Sequence, residues 1–400
     1  MKPDFMFKES SDGFVGPGTA LKTRPYMVGA LFLTCAAVIA GFVIFIIGGV
    51  APVLAQAKGA VSIGYTYSHA RVDCADTHSG GKGAAERGGP QKAHSVDSVD
   101  NILLHYDEPA IHARVDSTLK TMRNGADVLR LMLWVGGSDL SATSGPEVHL
   151  GLLSNETDVP PVVLNNITAV IREAASLGYS KIYMNFGEQG ASSPKCPKSG
   201  QTGCFNSSHL AGGWNLRKQV IDAARRGSTS GTAVYFDLAN ESCPGGGSSS
   251  EMQADMQQFV TYMVTAYAKT YGDDHSFVSC HGPSLKRATR GLDSIVAIYR
   301  SAGIRPHTLD LHIYDIDEQA AEDVLRQGEA EAQSIGSRLV VMETAYDDQA
   351  VFTAVSTLRK RGALPLLETV SIWPKVLDSS CGFSIQWPTD LSNVNRMVND

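Results

Sequence analysis

Beyond residue 60 the sequence alternates between short runs of β-branched and aromatic residues and longer segments with helical spacing, and this alternation restricts the possible folds more than any other feature. The longer segments carry apolar residues three or four positions apart, as in Ile111, Val115, Leu119 and Met122, which predicts helices with one buried face. The short runs predict eight strands, at residues 61–67, 128–134, 181–186, 233–238, 276–280, 308–314, 339–343 and 369–373.

Strands that alternate with helices form parallel βαβ units, and eight such units close into a (β/α)8 TIM barrel. The predicted fold class is therefore α/β, with the barrel preceded by one N-terminal transmembrane helix. A doubly wound open sheet is the alternative, but no glycine-rich turn of the dinucleotide-binding type joins a strand to a helix in this sequence. The last helix of the barrel is expected within 388–398 and is the shortest of the set.

Residues 27–50 contain no charged side chain over 24 positions, and about 20 apolar helical residues are enough to cross a bilayer. This segment predicts an uncleaved transmembrane anchor, with a signal peptide cleaved near Ala55-Gln56-Ala57 as the alternative. Lys22 and Arg24 precede the span and only Lys58 closely follows it, so the N-terminus is expected in the cytoplasm. The predicted organisation is a cytoplasmic tail at 1–26, the anchor at 27–50 and a periplasmic or extracellular domain at 58–400.

The cysteine content fits this location, because disulfides persist outside the cytoplasm. Of the seven cysteines, Cys35 lies in the predicted span and six follow it. Six cysteines allow fifteen pairings in principle. Strand adjacency in a closed barrel and loop size favour Cys243 with Cys280, Cys74 with Cys381 and Cys196 with Cys204.

The charge balance and the motifs exclude several functional classes. A net charge of −7 and a pI near 5.9 give no basic surface for nucleic acid. No zinc-type or other metal-ligand spacing is present in the sequence, so no metal and no cofactor are expected. Four Asn-x-Ser/Thr triplets are acceptors only in a host that glycosylates, and they begin at Asn155, Asn166, Asn206 and Asn240.

Two of the predicted strands end in a carboxylate. The run 235–241 passes from an apolar strand into Asn240 and Glu241, and the buried run 339–343 ends in Glu343. By order these are the fourth and seventh strands, and active sites of barrel enzymes lie at the C-terminal ends of the strands. A glycosidic bond is cleaved by two carboxyl groups, one protonated and one ionised, so this pair predicts a glycosidase.

Here the sequence resembles the large clan of retaining glycoside hydrolases built on the TIM barrel, clan A, which includes many cellulases, mannanases and xylosidases. In that clan the acid/base is the Glu of an Asn-Glu pair ending the fourth strand, and the nucleophile is a Glu ending the seventh. The resemblance implies that Glu241 is the acid/base and Glu343 the nucleophile. It covers all eight predicted strands. Further matching positions, expected to bind substrate or to support the glutamates, are Asn240, Arg130, His312, Tyr314 and Trp373.

Some residues near other strand ends are also expected to line a sugar-binding cleft: Trp134, Asn185, Glu188, Tyr65 and Tyr67. Arg130 and Tyr314 are expected to keep Glu343 ionised, whereas Glu241 is expected to be less well compensated and to hold its proton near neutral pH. Carboxyl groups ~5–5.5 Å apart would give net retention of anomeric configuration.

The expected partners follow from the predicted anchor and activity. They are a polysaccharide of the envelope or surrounding matrix, the membrane through the N-terminal helix, and, as a further candidate, machinery for exopolysaccharide synthesis or export. A transglycosylase is a close alternative because it shares the glycosyl-enzyme intermediate. A non-catalytic carbohydrate-binding or scaffold protein is the alternative from another class.

Overall fold

The computed structural model describes residues 60–67, 103, 105–135, 158–188, 207–245, 250–282, 284–373, 375–379, 382–386 and 391–399. All of these residues belong to one compact unit, Lys58–Asp400. The predicted tail and transmembrane span lie outside the described residues. Within the described part of the chain, no helix is both long enough and apolar enough to cross a bilayer.

Nine parallel strand segments form a single sheet among the described residues, in the order β5-β4-β3-β2-β1-β9-β8-β7-β6. The two outermost segments are parts of one continuous run, separated by Val278 alone, so the sheet closes on itself as an eight-stranded barrel. The predicted barrel is confirmed. The segments are β1 (Ser62–Tyr67), β2 (Val128–Val135), β3 (Lys181–Glu188), β4 (Ala233–Asp237), β5 (Ser276–Phe277), β6 (Ser279–His281), β7 (Thr308–His312), β8 (Arg338–Glu343) and β9 (Leu367–Ile372).

Helices connect the successive strands and pack their apolar faces on the outside of the barrel. Proline begins two of them at a position where no backbone donor is needed, and Asp317 caps another by accepting a hydrogen bond from Ala320 N at 2.8 Å. The described helices are α1 (Pro109–Arg123), α2 (Pro161–Ser176), α3 (Ser207–Gly227), α4 (Ser250–Thr270), α5 (Leu285–Ala302), α6 (Glu318–Ile335), α7 (Gln349–Lys360) and α8 (Ser392–Asn399).

Asn166 and Arg217 are two of the polar side chains that are buried between the helices and the sheet with defined partners. Asn166 on α2 is 4% exposed and donates through Nδ2 to Leu103 O at 2.9 Å and to Asp107 Oδ1 at 3.2 Å. Arg217 on α3 donates to Leu238 O at 2.8 Å and lies over the rings of Phe186 and Phe259. Both groups are buried with hydrogen bonds, as buried polar groups generally are.

The barrel interior changes from apolar to polar along the strands. A lower layer is formed by Val128, Tyr183, Tyr235, Phe277, Val340 and Met342. Two residues further along, where a strand presents the next side chain on the same face, the interior carries Arg130, Asn185, Asp237 and Ser279, all fully or almost fully buried. The polar layer therefore lies directly beneath the C-terminal ends of the strands.

The structure differs from the predicted elements at three places. The fifth strand is interrupted at Val278, the sixth ends at His312 instead of residue 314, and an antiparallel hairpin, β10 (Lys375–Ser379) and β11 (Gly382–Gln386), follows the eighth. The hairpin was not predicted. The last helix runs over Ser392–Asn399, close to the expected 388–398.

Candidate active site

Glu343 is the last residue of β8, and three hydrogen-bond donors face its buried carboxylate. Arg130 Nη2 forms an ion pair with Oε1, Tyr314 OH donates to Oε2 at 2.6 Å, and Trp373 Nε1 lies 3.3 Å from Oε2. Donors to both oxygens stabilise the negative charge that a nucleophilic carboxylate requires.

Arg130 connects the ends of three strands from beneath. It is fully buried on β2 and donates to Thr66 Oγ1 at 3.3 Å and to Asn240 Oδ1 at 2.9 Å, in addition to its ion pair with Glu343. A buried guanidinium needs a compensating charge, which Glu343 provides. The amide of Asn240, directly before Glu241, is thereby tied to the carboxylate of Glu343.

Glu241 lies in the turn that follows β4, with a positive φ of 53°. Its Oε1 is 3.0 Å from Nδ1 of His312 and 3.3 Å from Nδ1 of His281. Its side chain is 29% exposed, whereas that of Glu343 is 5% exposed. Of the two glutamates, Glu241 is therefore the more accessible to solvent.

His312 lies between the two glutamates. Its Nδ1 is 3.0 Å from Glu241 Oε1 and 3.3 Å from Glu343 Oε1, and its Nε2 is 3.3 Å from Asp310 Oδ2. Burial by itself lowers the pKa of His312, but the negative charges of Glu343 and Asp310 outweigh burial and raise the pKa to about 10. The imidazole ring is therefore a cation held among three carboxylates at neutral pH.

The protonation expected for Glu241 from the sequence is wrong. Burial raises the pKa of Glu241, but the hydrogen bonds and charges of His281 and His312 outweigh burial and hold the pKa below its ordinary value. Glu241 is not poorly compensated, because two histidines from different strands face it. The proton nearest to Glu241 Oε1 is held on His312 Nδ1.

Asp237 and Ser279 form a second layer under Glu241. Asp237 Oδ2 accepts from Asn185 Nδ2 at 2.7 Å and from Ser279 Oγ at 2.6 Å. Burial, and then the negative charge of Asp310, raise the pKa of Asp237 to about 6. Ser279 Oγ in turn accepts the backbone N–H of Glu241 at 2.8 Å.

One disulfide is present among the described residues, between Cys243 and Cys280, whose Cα atoms are 5.2 Å apart. The predicted pairing of these two cysteines is confirmed. The bond joins the segment just after Glu241 to the strand that carries Ser279 and His281. The other predicted pairs, Cys74 with Cys381 and Cys196 with Cys204, lie outside the described residues.

The structure brings together seven residues that the sequence singled out: Glu241, Glu343, Asn240, Arg130, His312, Tyr314 and Trp373. Asn185 lies lower in the barrel, where it is fully buried against Asp237, and does not line a cleft. Tyr65 and Tyr67 are 0% and 1% exposed on the outer face of β1, in the core under the helices, so the expectation that they contact sugar is wrong. The side chains of Trp134 and Glu188 lie outside the described residues.

Four site residues were missed: Asp237, Ser279, His281 and Asp310. His281 comes directly after Cys280 at the end of the fifth strand, a position that by itself marks a candidate. Asp237, Ser279 and Asp310 are polar residues facing inward in buried strands, and alternation along the strand could have identified them.

Three side chains among the described residues are spaced so that they could bind a cation. One carboxylate oxygen or ring nitrogen from each of Glu241, His312 and Glu343 lies within 4.8 Å of the other two. However, the guanidinium of Arg130 already pairs with Glu343, and His312 carries a proton toward both carboxylates. A metal would have to displace two positive charges. The arrangement is better suited to proton transfer than to metal binding.

No family model and no curated protein matches this chain. Among solved structures, a β-mannanase from the blue mussel Mytilus edulis is 14% identical, covering 76% of this chain and 89% of that one, with a TM-score of 0.45. A modular endo-β-1,4-mannanase of glycoside hydrolase family 26 from Cellulomonas fimi is 12% identical, over 86% and 70%, with a TM-score of 0.48. An endo-β-1,4-glucanase from Xanthomonas axonopodis pv. citri is 12% identical, over 85% and 100%, with a TM-score of 0.47. Similarity at this level assigns no activity to this chain.

Proposed function

We propose that the protein is a retaining O-glycoside hydrolase of the clan A type, with Glu343 as the nucleophile and Glu241 as the acid/base. The observation that carries the proposal is the pair of glutamates at the ends of the fourth and seventh barrel strands, with one oxygen of each within 4.8 Å of the other. Retaining enzymes use carboxyl groups ~5–5.5 Å apart, whereas inverting enzymes leave ~6.5–9.5 Å for a water molecule.

In the first step Glu343 attacks the anomeric carbon while its charge is oriented by Arg130 and Tyr314. The leaving oxygen needs a proton, and Glu241 must first receive one, because His281 and His312 outweigh burial and hold its pKa low. His312 Nδ1, 3.0 Å from Glu241 Oε1, can pass its proton to Glu241 when substrate excludes water from the site. Glu241 then protonates the leaving oxygen, and in the second step it removes a proton from the water that releases the sugar.

The proposed substrate is a polysaccharide outside the cytoplasm, and the proposed location of the domain is the outer face of a membrane to which residues 27–50 anchor it. Trp373 lies beside the nucleophile, with its ring 5.9 Å from the Arg130 guanidinium, where an indole can stack on a sugar ring. Processing of an exopolysaccharide during synthesis or export fits this arrangement and supplies a role for the anchor.

The first experiment is a screen for activity. Release of reducing ends is measured on β-glucans, mannans, xylans and a purified exopolysaccharide, and products are separated to distinguish hydrolysis from transfer to an acceptor sugar. Products longer than the substrate would show transglycosylation. Binding without any release would support a scaffold and contradict the proposal.

The second experiment separates the roles of the two glutamates on aryl glycosides of the accepted sugar. Glu343→Gln should abolish turnover of every substrate, since no covalent intermediate forms. Glu241→Ala should retain the first step on an activated aryl glycoside, and added azide should restore turnover with a glycosyl azide of retained configuration. Glu318→Gln, on the exposed first turn of α6, serves as the control. Equal loss in both variants without azide rescue would contradict the assignment.

A further inference from the structure

The backbone of Glu241 is in an unusual conformation for its residue type. Among the described residues, Glu241 and Asp315 alone combine a side chain with a positive φ, 53° in each. The left-handed region is unfavourable for residues other than glycine, so the surrounding contacts must hold it in place. At Glu241 this conformation turns the chain out of β4 at the residue that carries the proposed acid/base carboxyl.

Ser279 supplies the contact that holds this turn. Its Oγ accepts the Glu241 N–H at 2.8 Å and lies 2.6 Å from Asp237 Oδ2. A hydroxyl has one proton, and a carboxylate that only accepts hydrogen bonds takes it, so the lone pairs of Oγ are directed at Glu241. The Glu241 N–H can only donate in this contact, and Asp237 sets the orientation of the Ser279 hydroxyl that accepts it.

Asp237 is itself fixed from several sides. It accepts from Asn185 Nδ2 at 2.7 Å, from Ser279 N at 3.2 Å and from Ala239 N at 3.2 Å, and it is fully buried. The two hydrogen bonds that link Asp237 to Ser279 and Ser279 to the Glu241 peptide therefore run from β4 to β6 and back to the turn after β4. None of its members touches Glu343, Tyr314 or Trp373 in the contacts of the described residues.

The Cys243–Cys280 disulfide joins the same two segments but constrains a different part of the turn. It fixes the chain two residues after Glu241, whereas Ser279 fixes the peptide group of Glu241 itself. On the other side, Asn240 N continues the strand ladder by donating to Phe186 O at 3.1 Å. The Glu241 peptide lies between this hydrogen bond and the disulfide, at the point where the chain stops pairing with β3.

We propose that Ser279, oriented by Asp237, is a positioning residue that holds the left-handed turn at Glu241 and so directs the acid/base carboxyl toward the leaving oxygen. The inference rests on the proposed glycosidase function and extends it to two residues that do not contact substrate. Loss of the Ser279 hydroxyl should impair proton donation and leave nucleophilic attack by Glu343 intact.

The test uses the full-length protein and compares a phenyl glycoside, whose leaving group needs a proton, with a dinitrophenyl glycoside, whose leaving group does not. Ser279→Ala should lower kcat/KM on the phenyl substrate by about 30-fold or more, because general acid catalysis of the first step contributes about 10²–10⁴-fold, with less than about 3-fold loss of kcat/KM on the dinitrophenyl substrate. Ser279→Thr keeps the hydroxyl and should restore the phenyl activity. Ser276→Ala is the control. It removes another buried serine hydroxyl of the fifth barrel strand, one that accepts a hydrogen bond from Tyr299 OH, and it should change neither rate.

A double-mutant cycle separates positioning from general damage. If Ser279 acts through Glu241, Ser279→Ala should add no further loss in the Glu241→Ala background. Equal losses on both aryl substrates, additive losses in the cycle, or full activity of Ser279→Ala would each overturn the inference while leaving the glycosidase proposal intact. Absence of hydrolysis by the unaltered protein would instead overturn the proposed function. If Ser279→Ala does not fold, Asp237→Asn tests the same series of hydrogen bonds. It should show the same dependence on the leaving group.

Discussion

Arg130 is the residue that connects the charges of the site. It is fully buried on β2, so its positive charge is balanced by the ion pair with Glu343 and not by water. Removing one partner of such a pair leaves an uncompensated buried charge, which typically destabilises a protein by about 3–5 kcal/mol. Variants of the neutral neighbours of Glu343 therefore complement Glu343→Gln, because they leave this ion pair intact.

Tyr314→Phe removes one neutral donor from Glu343 without changing the net charge of the site. The lost hydrogen bond, 2.6 Å to Oε2, joins a carboxylate, and such bonds contribute about 1.5–3 kcal/mol. The rate of the first step should fall by about 10–100-fold. The fall should be similar on phenyl and dinitrophenyl glycosides, in contrast to Ser279→Ala.

Tyr262→Phe, on α4 outside the barrel, is the matched control and should leave the rate unchanged. Single-turnover kinetics of the first step provide the measurement. A Tyr314→Phe variant that is impaired only on the phenyl substrate would indicate that Tyr314 assists the leaving group and not Glu343.

The residues at the strand ends can be identified from the sequence, whereas the contacts between strands cannot. Glu241 and Glu343 stand out because each ends an apolar run. The contact of Glu241 with Ser279 joins residues 38 positions apart, and its contact with His312 joins residues 71 apart. The charge state expected for Glu241 was wrong for the same reason, since it is set by side chains that only the closed barrel brings together.

At the scale of elements, the β-branched runs and the helical periodicity predicted all eight barrel strands, with ends within about two residues, as is usual for such boundaries. The split of the fifth strand at Val278 was not predictable, because Val278 is a β-branched residue of the kind that favours a continuous strand. The β10–β11 hairpin was also missed. Its sequence follows the last barrel strand, where the eightfold repeat leaves room only for a helix.

Helix α6 carries a buried carboxyl group that makes stability depend on pH. Glu329 accepts the N–H of Leu366 at 2.8 Å, and burial raises its pKa from 4.5 to about 7. Between these values the native state binds a proton that the unfolded state has released, so the free energy of unfolding falls as pH rises. This contribution is fully present below pH 4.5 and is lost above about pH 7.

Glu329→Gln keeps an acceptor for Leu366 and removes the charge. Allowing for solvent screening, the variant should exceed the unaltered protein in stability by about 1–2 kcal/mol above pH 7 and should match it near pH 4.5. Urea unfolding at a series of pH values is the measurement, with Glu318→Gln as the exposed control. Parallel pH curves for the variant and the unaltered protein would show that Glu329 does not titrate as described.

Close packing of α2 against α3 depends on a glycine at the end of α3. A Cβ at Gly227 would meet the carbonyl oxygen of Thr168 and lie 2.9 Å from Ile171 Cβ. Gly227→Ala should therefore reduce the free energy of unfolding by about 1–3 kcal/mol. At Gly231 no atom lies within 4 Å of such a Cβ, so Gly231→Ala should be neutral or slightly stabilising. Equal urea midpoints for the two variants would contradict the packing described.

At the scale of the whole molecule, the fold follows from repetition, since each βαβ unit is predicted by its own pattern and eight units close a barrel. The N-terminal region is a separate question, because residues 1–59 are outside the described part of the chain. The anchor therefore stays a prediction that rests on the uncharged run 27–50.

The anchor can be tested with two aspartates in the full-length chain. Val38→Asp with Ile39→Asp should move the protein from the membrane fraction to the soluble fraction, because an aspartate at the centre of a spanning helix costs roughly 2.5–3.5 kcal/mol. Ser10→Asp with Ser11→Asp adds the same charge to the tail and should leave the protein membrane-bound. Carbonate extraction followed by fractionation gives the readout, and release of both variants, or of neither, would argue against an anchor at 27–50.

The burial of Asn166 and the pairing of Asn240 with Arg130 have a consequence for how the protein can be made. Both asparagines begin an acceptor triplet, and an oligosaccharide attached to the amide nitrogen of Asn166 before the barrel closes would have to occupy space that is filled in the native structure. It would displace the bond to Leu103, whereas an oligosaccharide on Asn240 would stand beside Glu241 and the Arg130–Glu343 ion pair. A eukaryotic secretory host should therefore yield active protein only from the molecules that escape modification at these two positions.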